Sequence, residues 1–134
     1  MSNKIKVCML TNDAFHSLNI AYKDVYKFVM QTIPPKINEL LAELKMDTSE
    51  IDYFVPHQSN HRMIEALAER LEIEEHKVIS NIDKYGNMSA ASIPVAIKEA
   101  IDNKEMKLPA TVLLSAFGAG MTAGNAVIKL SETV

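Results

Sequence analysis

Three short polar stretches carry the residue types that do chemistry: Pro56-His57-Gln58-Ser59-Asn60-His61-Arg62, Tyr85-Gly86-Asn87-Met88-Ser89 and Phe117-Gly118-Ala119-Gly120. His57 comes directly after an apolar run and before a helical pattern. The positive end of that helix favours a neutral imidazole, which can donate a hydrogen bond to an oxygen developing negative charge. The same position also suits a turn histidine that caps the helix or packs on Pro56. Asn87 reads in two ways as well: its amide can donate to a substrate carbonyl, or it can be a residue that tolerates a left-handed turn after Gly86. Gly118-Ala119-Gly120 lacks the Lys-Ser or Lys-Thr ending of a phosphate loop and leads into a strand pattern. A hairpin turn that exposes backbone N–H groups is expected there.

His57 and His61 have the i, i+4 spacing of a helical metal pair. However, Gln58 stands where a zinc hydrolase places glutamate, and no third ligand stands out, so no metal centre is expected. Cys8, the only cysteine, has no helix start behind it to lower its pKa. It cannot form an internal disulfide, which fits a reducing compartment and makes the cytoplasm the expected location.

The elements that must position these groups follow from periodicity. Residues 5–10 partly alternate and predict a short strand, followed by a polar, turn-like stretch. Val25, Phe28 and Val29 predict one helix before Pro34-Pro35. Pro35 then opens a second, with Ile37, Leu40, Leu41 and Leu44 on one face. Residues 51–55 are too short for a buried helix and predict an inner strand. Met63, Ile64, Leu67, Ala68 and Leu71 form the apolar face of an amphipathic helix. Residues 78–82 suggest a marginal strand, and residues 84–87 a loop before Ser89, read as the cap of a helix over 89–101. The small residues that open this helix suit close packing against other backbone, with Pro94 in its first turns. Residues 111–116 and 123–130 predict an antiparallel hairpin with an enlarged turn. Helices alternating with strands imply a layered α/β unit on a mixed sheet, whose strand ends would gather the three polar stretches into one site. So small a sheet is expected to leave an apolar face that needs a mate, and at least a dimer is expected.

A length of 134 residues allows one domain or one half of a larger two-part fold. A net charge of -3 gives no bulk attraction to phosphate backbones or anionic lipid, so neither nucleic acid nor membrane is an expected partner. No apolar run approaches the roughly eighteen residues of a membrane span.

Together the three stretches resemble the C-terminal half of β-ketoacyl-acyl-carrier-protein synthase III, a thiolase-fold condensing enzyme. The carrying segments are residues 52–60, 85–94 and 115–124, and the similarity runs from about Val25 to Leu130. Residues 25–134 would then be the C-terminal ketosynthase domain and 1–24 an extension or edge segment. The resemblance implies a thiolase-like half with layered helices on a small mixed sheet ending in an antiparallel hairpin. It implies decarboxylative Claisen condensation of malonyl-acyl-carrier protein with an acyl group delivered from acyl-CoA, without a cofactor. It further implies that His57 and Asn87 hydrogen-bond the malonyl thioester oxygen, that Ala119 supplies a backbone N–H to an oxyanion hole, and that Arg62 helps dock acyl-carrier protein. The family's nucleophilic cysteine lies in an N-terminal half, and Cys8 is not its equivalent. A cysteine-bearing half is thus an implied partner, without which the chain is expected to be inactive. The alternative is a non-catalytic subunit that contacts acyl-carrier protein or a partner half. Met88 stands where the family commonly has threonine, and Tyr22 where a glycine often precedes the Val-Phe pair.

Overall fold

A computed structural model describes residues 6–10, 22–118 and 120–132. Among them, four strands form one sheet in the order β1 (Lys6–Leu10), β4 (Thr122–Leu130), β3 (Ala110–Gly118), β2 (Tyr53–Pro56). β1 and β3 both run antiparallel to β4, whereas β2 runs parallel to β3. The mixed sheet and closing hairpin expected from the sequence are both present. The remaining elements are α1 (Tyr22–Leu44), α2 (His61–Arg70), α3 (Ile82–Tyr85) and α4 (Ser92–Asp102).

Residue alternation along the strands separates two cores. Phe54 and Leu113 join Val29, Ile33, Ile37 and Leu40 of α1 and Met63 and Leu67 of α2 on one side. Val55 and Val112 join Ala96 and Ala100 of α4 on the other, with Ile79 and Met106. The second layer is thinner. Ile93, Ile97 and Ile101 on α4, and Leu114, Ile128 and Leu130 on the sheet, are only partly buried against it. Ser92 is buried, but Ala90, Ala91 and Pro94 are exposed. The small-residue opening of α4 therefore faces outward within this chain, contrary to the close packing expected of it.

The two helices expected around Pro34-Pro35 are one continuous helix. Proline carries a helix-compatible φ, and its penalty inside a helix, about 3 kcal/mol, comes from the lost N–H and ring crowding. Val29, Ile33 and Ile37, on both sides of the break, are fully buried. Met30, Leu40 and Leu41 of the same helix are buried as well. At about 1.5–3 kcal/mol for each such side chain, the apolar stripe outweighs the roughly 6 kcal/mol of two prolines. The carbonyl of Met30, which Pro34 cannot serve, accepts instead from Arg70 Nη1 at 3.2 Å. Arg70→Met should lower the free energy of unfolding in urea by about 1 kcal/mol, and an unchanged midpoint would show that water serves that carbonyl equally well.

Three other expectations need correction. The run at 51–55 is a sheet-edge strand, not an inner one, with its outer side touched by a single bridge from Phe54 to Val78. Residues 78–82 form no further strand: after that bridge the chain turns into α3. Ser89 does not cap α4. It has φ +52° within a separate 3₁₀ turn, Ser89–Ala91, and α4 starts at Ser92.

Candidate active site

β2 ends at Pro56, and the ladder continues one step further through the His57 N–H, which donates to Ser115 O at 2.7 Å. This bond fixes the start of the turn into α2. The half-buried imidazole lies edge-on to Phe117, with ring centroids 5.2 Å apart and planes at 90°. Burial pushes its pKa below the ordinary 6.5, because a partly dry environment disfavours the charged ring. His57 is therefore neutral at pH 7 and holds one N–H to give. Because the unfolded chain binds this proton more readily, stability should rise with pH from the depressed value up to 6.5 and gain nothing from this group above it. An NMR pH series should show His57 titrating below 6.5, and Phe117→Ala should move the midpoint back up by rehydrating the ring. A midpoint at or above 6.5 in the wild type would contradict the burial argument.

The second donor is placed by backbone geometry. Gly86 ends α3 at φ +65°, ψ −157°, a region essentially closed to residues with a Cβ. An added Cβ would meet no atom within 4 Å, so the glycine is required by conformation and not by space. The next residue, Asn87, is exposed, and its Oδ1 accepts from Ser89 N at 2.8 Å. Ser92 Oγ accepts from Met88 N at 3.1 Å. The left-handed positions of this stretch are Gly86 and Ser89, not Asn87, so the left-handed reading of Asn87 does not hold. With Oδ1 bound in the turn, Nδ2 is the group left to donate.

His57 and Asn87 line one cavity of about 450 Å³, together with Ile93, Ala116, Phe117 and Gly118. Its wall is mostly apolar, and the polar side chains on it are a neutral imidazole, a carboxamide and the Ser89 hydroxyl. The first two can stabilise an oxygen that gains negative charge without contributing a charge of their own. Arg62 sits exposed on the first turn of α2. His61 belongs elsewhere: it pairs with Glu65 at 3.2 Å and lines a separate groove. Among the described residues no group of three His, Cys, Asp or Glu side chains could hold a metal ion. Cys8 lies in β1, in register with Asn125. Ala119 lies outside the described residues; the strands on either side of it pair as far as Gly118 and Thr122, beyond the strand ends expected at 116 and 123.

Sequence reasoning overlooked Gln58, noted only as the wrong residue for a zinc site. It is fully buried. Its Nε2 donates to Pro56 O at 2.9 Å and to Ile79 O at 3.4 Å, while its Oε1 accepts from Ser80 Oγ and Asn81 N, each at 3.0 Å. The available signal was a polar amide set directly between a buried strand and a helix, where only a fully bonded side chain is tolerated.

His57 follows β2 directly, whereas Asn87 follows α3 and stands at no strand end. The layered helices and the mixed sheet with its closing antiparallel hairpin are those of the C-terminal half of the thiolase-like architecture. The solved 3-oxoacyl-[acyl-carrier-protein] synthase III from Aquifex aeolicus VF5 superposes with a TM-score of 0.86 at 33% identity, covering 92% of this chain and 43% of that one. Residues 41–130 match the family model described as 3-oxoacyl-[acyl-carrier-protein (ACP)] synthase III C terminal, and the chain belongs to that family. Proteins called beta-ketoacyl-[acyl-carrier-protein] synthase III from Clostridioides difficile (strain 630) and Pyropia yezoensis are each 43% identical, over 95% and 86% of this chain. The chain spans only 39% and 36% of the length of those two relatives. No helix among the described residues is long and apolar enough to cross a membrane.

Proposed function

We propose that this chain supplies the enolate-stabilising part of a β-ketoacyl-acyl-carrier-protein synthase III that serves fatty-acid or polyketide synthesis. The observation that carries this reading is the shared cavity of His57 and Asn87. A malonyl thioester held there loses CO₂, and the electron pair of the broken C–C bond passes onto the thioester oxygen as an enolate. His57 and Asn87 Nδ2 hydrogen-bond that oxygen, and the Ala119 N–H serves the acyl-thioester oxyanion. The enolate carbon then attacks an acyl thioester on a cysteine, and the tetrahedral intermediate collapses by expelling the thiolate. The reaction needs no metal or cofactor, only acyl-CoA and malonyl-acyl-carrier protein.

The sequence contains only Cys8, so the nucleophile comes from a cysteine-bearing N-terminal half. The exposed opening of α4 and the half-covered sheet face beside it are where that half packs. Mixed with such a half from a relative, the chain should restore condensation; a verified 1:1 complex that stays inactive counts against the reading. Arg62, exposed on the first turn of α2, docks the carrier protein. Arg62→Glu should weaken malonyl-acyl-carrier-protein binding about tenfold at low salt, with the difference shrinking as salt rises. Equal affinity at low salt would remove Arg62 from the docking surface.

A second reading, a non-catalytic subunit that contacts acyl-carrier protein or a partner half, is favoured by the lone Cys8. It predicts that His57→Ala and Asn87→Ala leave biological activity intact while Arg62→Glu removes carrier binding.

A further inference from the structure

Asn87 sits on an insecure stretch of chain. α3 is only four residues long, below the length at which a helix is stable by itself. The following turns hold two residues at positive φ, Gly86 and Ser89. A donor on such a loop drifts unless something outside the loop holds it. Two groups of α4 hold it: Ser92 Oγ, which accepts from Met88 N at 3.1 Å beyond Asn87, and Glu99, which holds α3 before it. The Glu99 carboxylate, whose side chain is only 16% exposed, accepts from Asn81 Nδ2 at 2.9 Å, from Tyr85 OH at 3.2 Å and from Lys84 Nζ. Those donors bracket α3 from the residue before its first to its last. Hydrogen bonds from Lys84 and Asn81 keep the Glu99 carboxyl ionised by lowering its pKa, so the acceptor persists at neutral pH.

The bonding continues inward from Asn81. Its backbone N–H donates to Gln58 Oε1 at 3.0 Å, and Gln58 Nε2 donates to the carbonyl of Pro56, on the other side of His57. A series of hydrogen bonds therefore links the turn that carries His57 to α3, the element that leads into Asn87, and ends on α4.

We propose that Gln58, Asn81 and Glu99 are positioning residues that hold the Asn87 carboxamide at a fixed place relative to the His57 ring. The proposal rests on the reading that both donors serve one thioester oxygen, but its geometry can be tested apart from catalysis. Glu99→Ala is the variant to make first, since Glu99 lies near the surface whereas replacing Gln58 endangers the core. In this chain alone, Glu99→Ala should speed backbone amide exchange at Gly86 and Ser89 by about tenfold while leaving Val112 to Leu114 in β3 protected as before. Glu99→Gln, which keeps an acceptor oxygen, should recover part of the protection. Unchanged exchange at Gly86 and Ser89 would overturn the proposal.

In the complex with a cysteine-bearing half, Glu99→Ala should lower kcat for malonyl decarboxylation about tenfold with KM nearly constant, as expected when a donor is displaced and the substrate site is kept. The double variant with Asn87→Ala should be no slower than Asn87→Ala alone, because Glu99 acts through Asn87. Additive losses would overturn the proposal. If Asn87→Ala alone changes nothing, the enolate-donor reading falls, and the exchange experiment still decides whether Glu99 holds the loop.

Discussion

His57→Ala, in a complex that supplies the nucleophilic cysteine, is expected to lower malonyl decarboxylation by about 10²–10³-fold, and Asn87→Ala by a similar factor. The size follows from where the charge develops. Decarboxylation creates an oxyanion that is absent from the bound thioester, so a fixed donor aimed at that oxygen stabilises the transition state more than the ground state. The half-buried, neutral imidazole is suited to this task because it need not shed a full hydration shell as the charge forms. The measurement is CO₂ release from malonyl-acyl-carrier protein under single turnover. Acyl loading of the cysteine should continue at close to its normal rate in both variants, because that step uses the other oxyanion donor. If decarboxylation and loading fell together, the substitutions would be damaging the fold; if neither changed, the two side chains would be structural.

The largest effect on stability is expected from Phe54→Ala. Phe54 is fully buried and lies in the core shared by α1 and α2. Its carbonyl also accepts from Ile79 N at 2.9 Å, the bond that brings the 78–81 segment against β2. Removing a buried ring of this size costs about 3–5 kcal/mol, a large share of the 5–15 kcal/mol that holds a typical domain together. Urea unfolding at fixed protein concentration measures it. A loss below about 1 kcal/mol would mean that the core closes around the gap.

The amphipathic helix through Met63, Leu67 and Leu71 and the closing hairpin were legible because their apolar periods of 3.6 and 2 leave little choice of buried face. The continuous helix α1 was not. Proline is a local stop signal, and the opposing evidence lies far away in the chain, in a sheet that buries Val29, Ile33 and Ile37 as one stripe and in Arg70 reaching Met30 O. The sheet-edge placement of β2 was equally hidden, since an apolar run reads the same whether a full strand or a single bridge covers its outer side. At the site, residue type and spacing marked His57 and Asn87 as candidate donors and left each a turn reading beside it; their joint role is what the resemblance to the ketosynthase family implies. Gln58 and Glu99 escaped notice because their role lies in partners up to 23 residues distant in sequence, and no local pattern records those bonds.

The central claim is that one ring N–H and one amide N–H meet at a single oxygen. The direct measurement is a crystal structure of this chain, assembled with a cysteine-bearing half, holding a non-hydrolysable malonyl-thioester analogue. The account predicts the analogue's thioester oxygen at hydrogen-bond distance, about 2.7–3.2 Å, from both a ring nitrogen of His57 and Asn87 Nδ2. An analogue bound in the cavity with its oxygen turned away from either donor would contradict it.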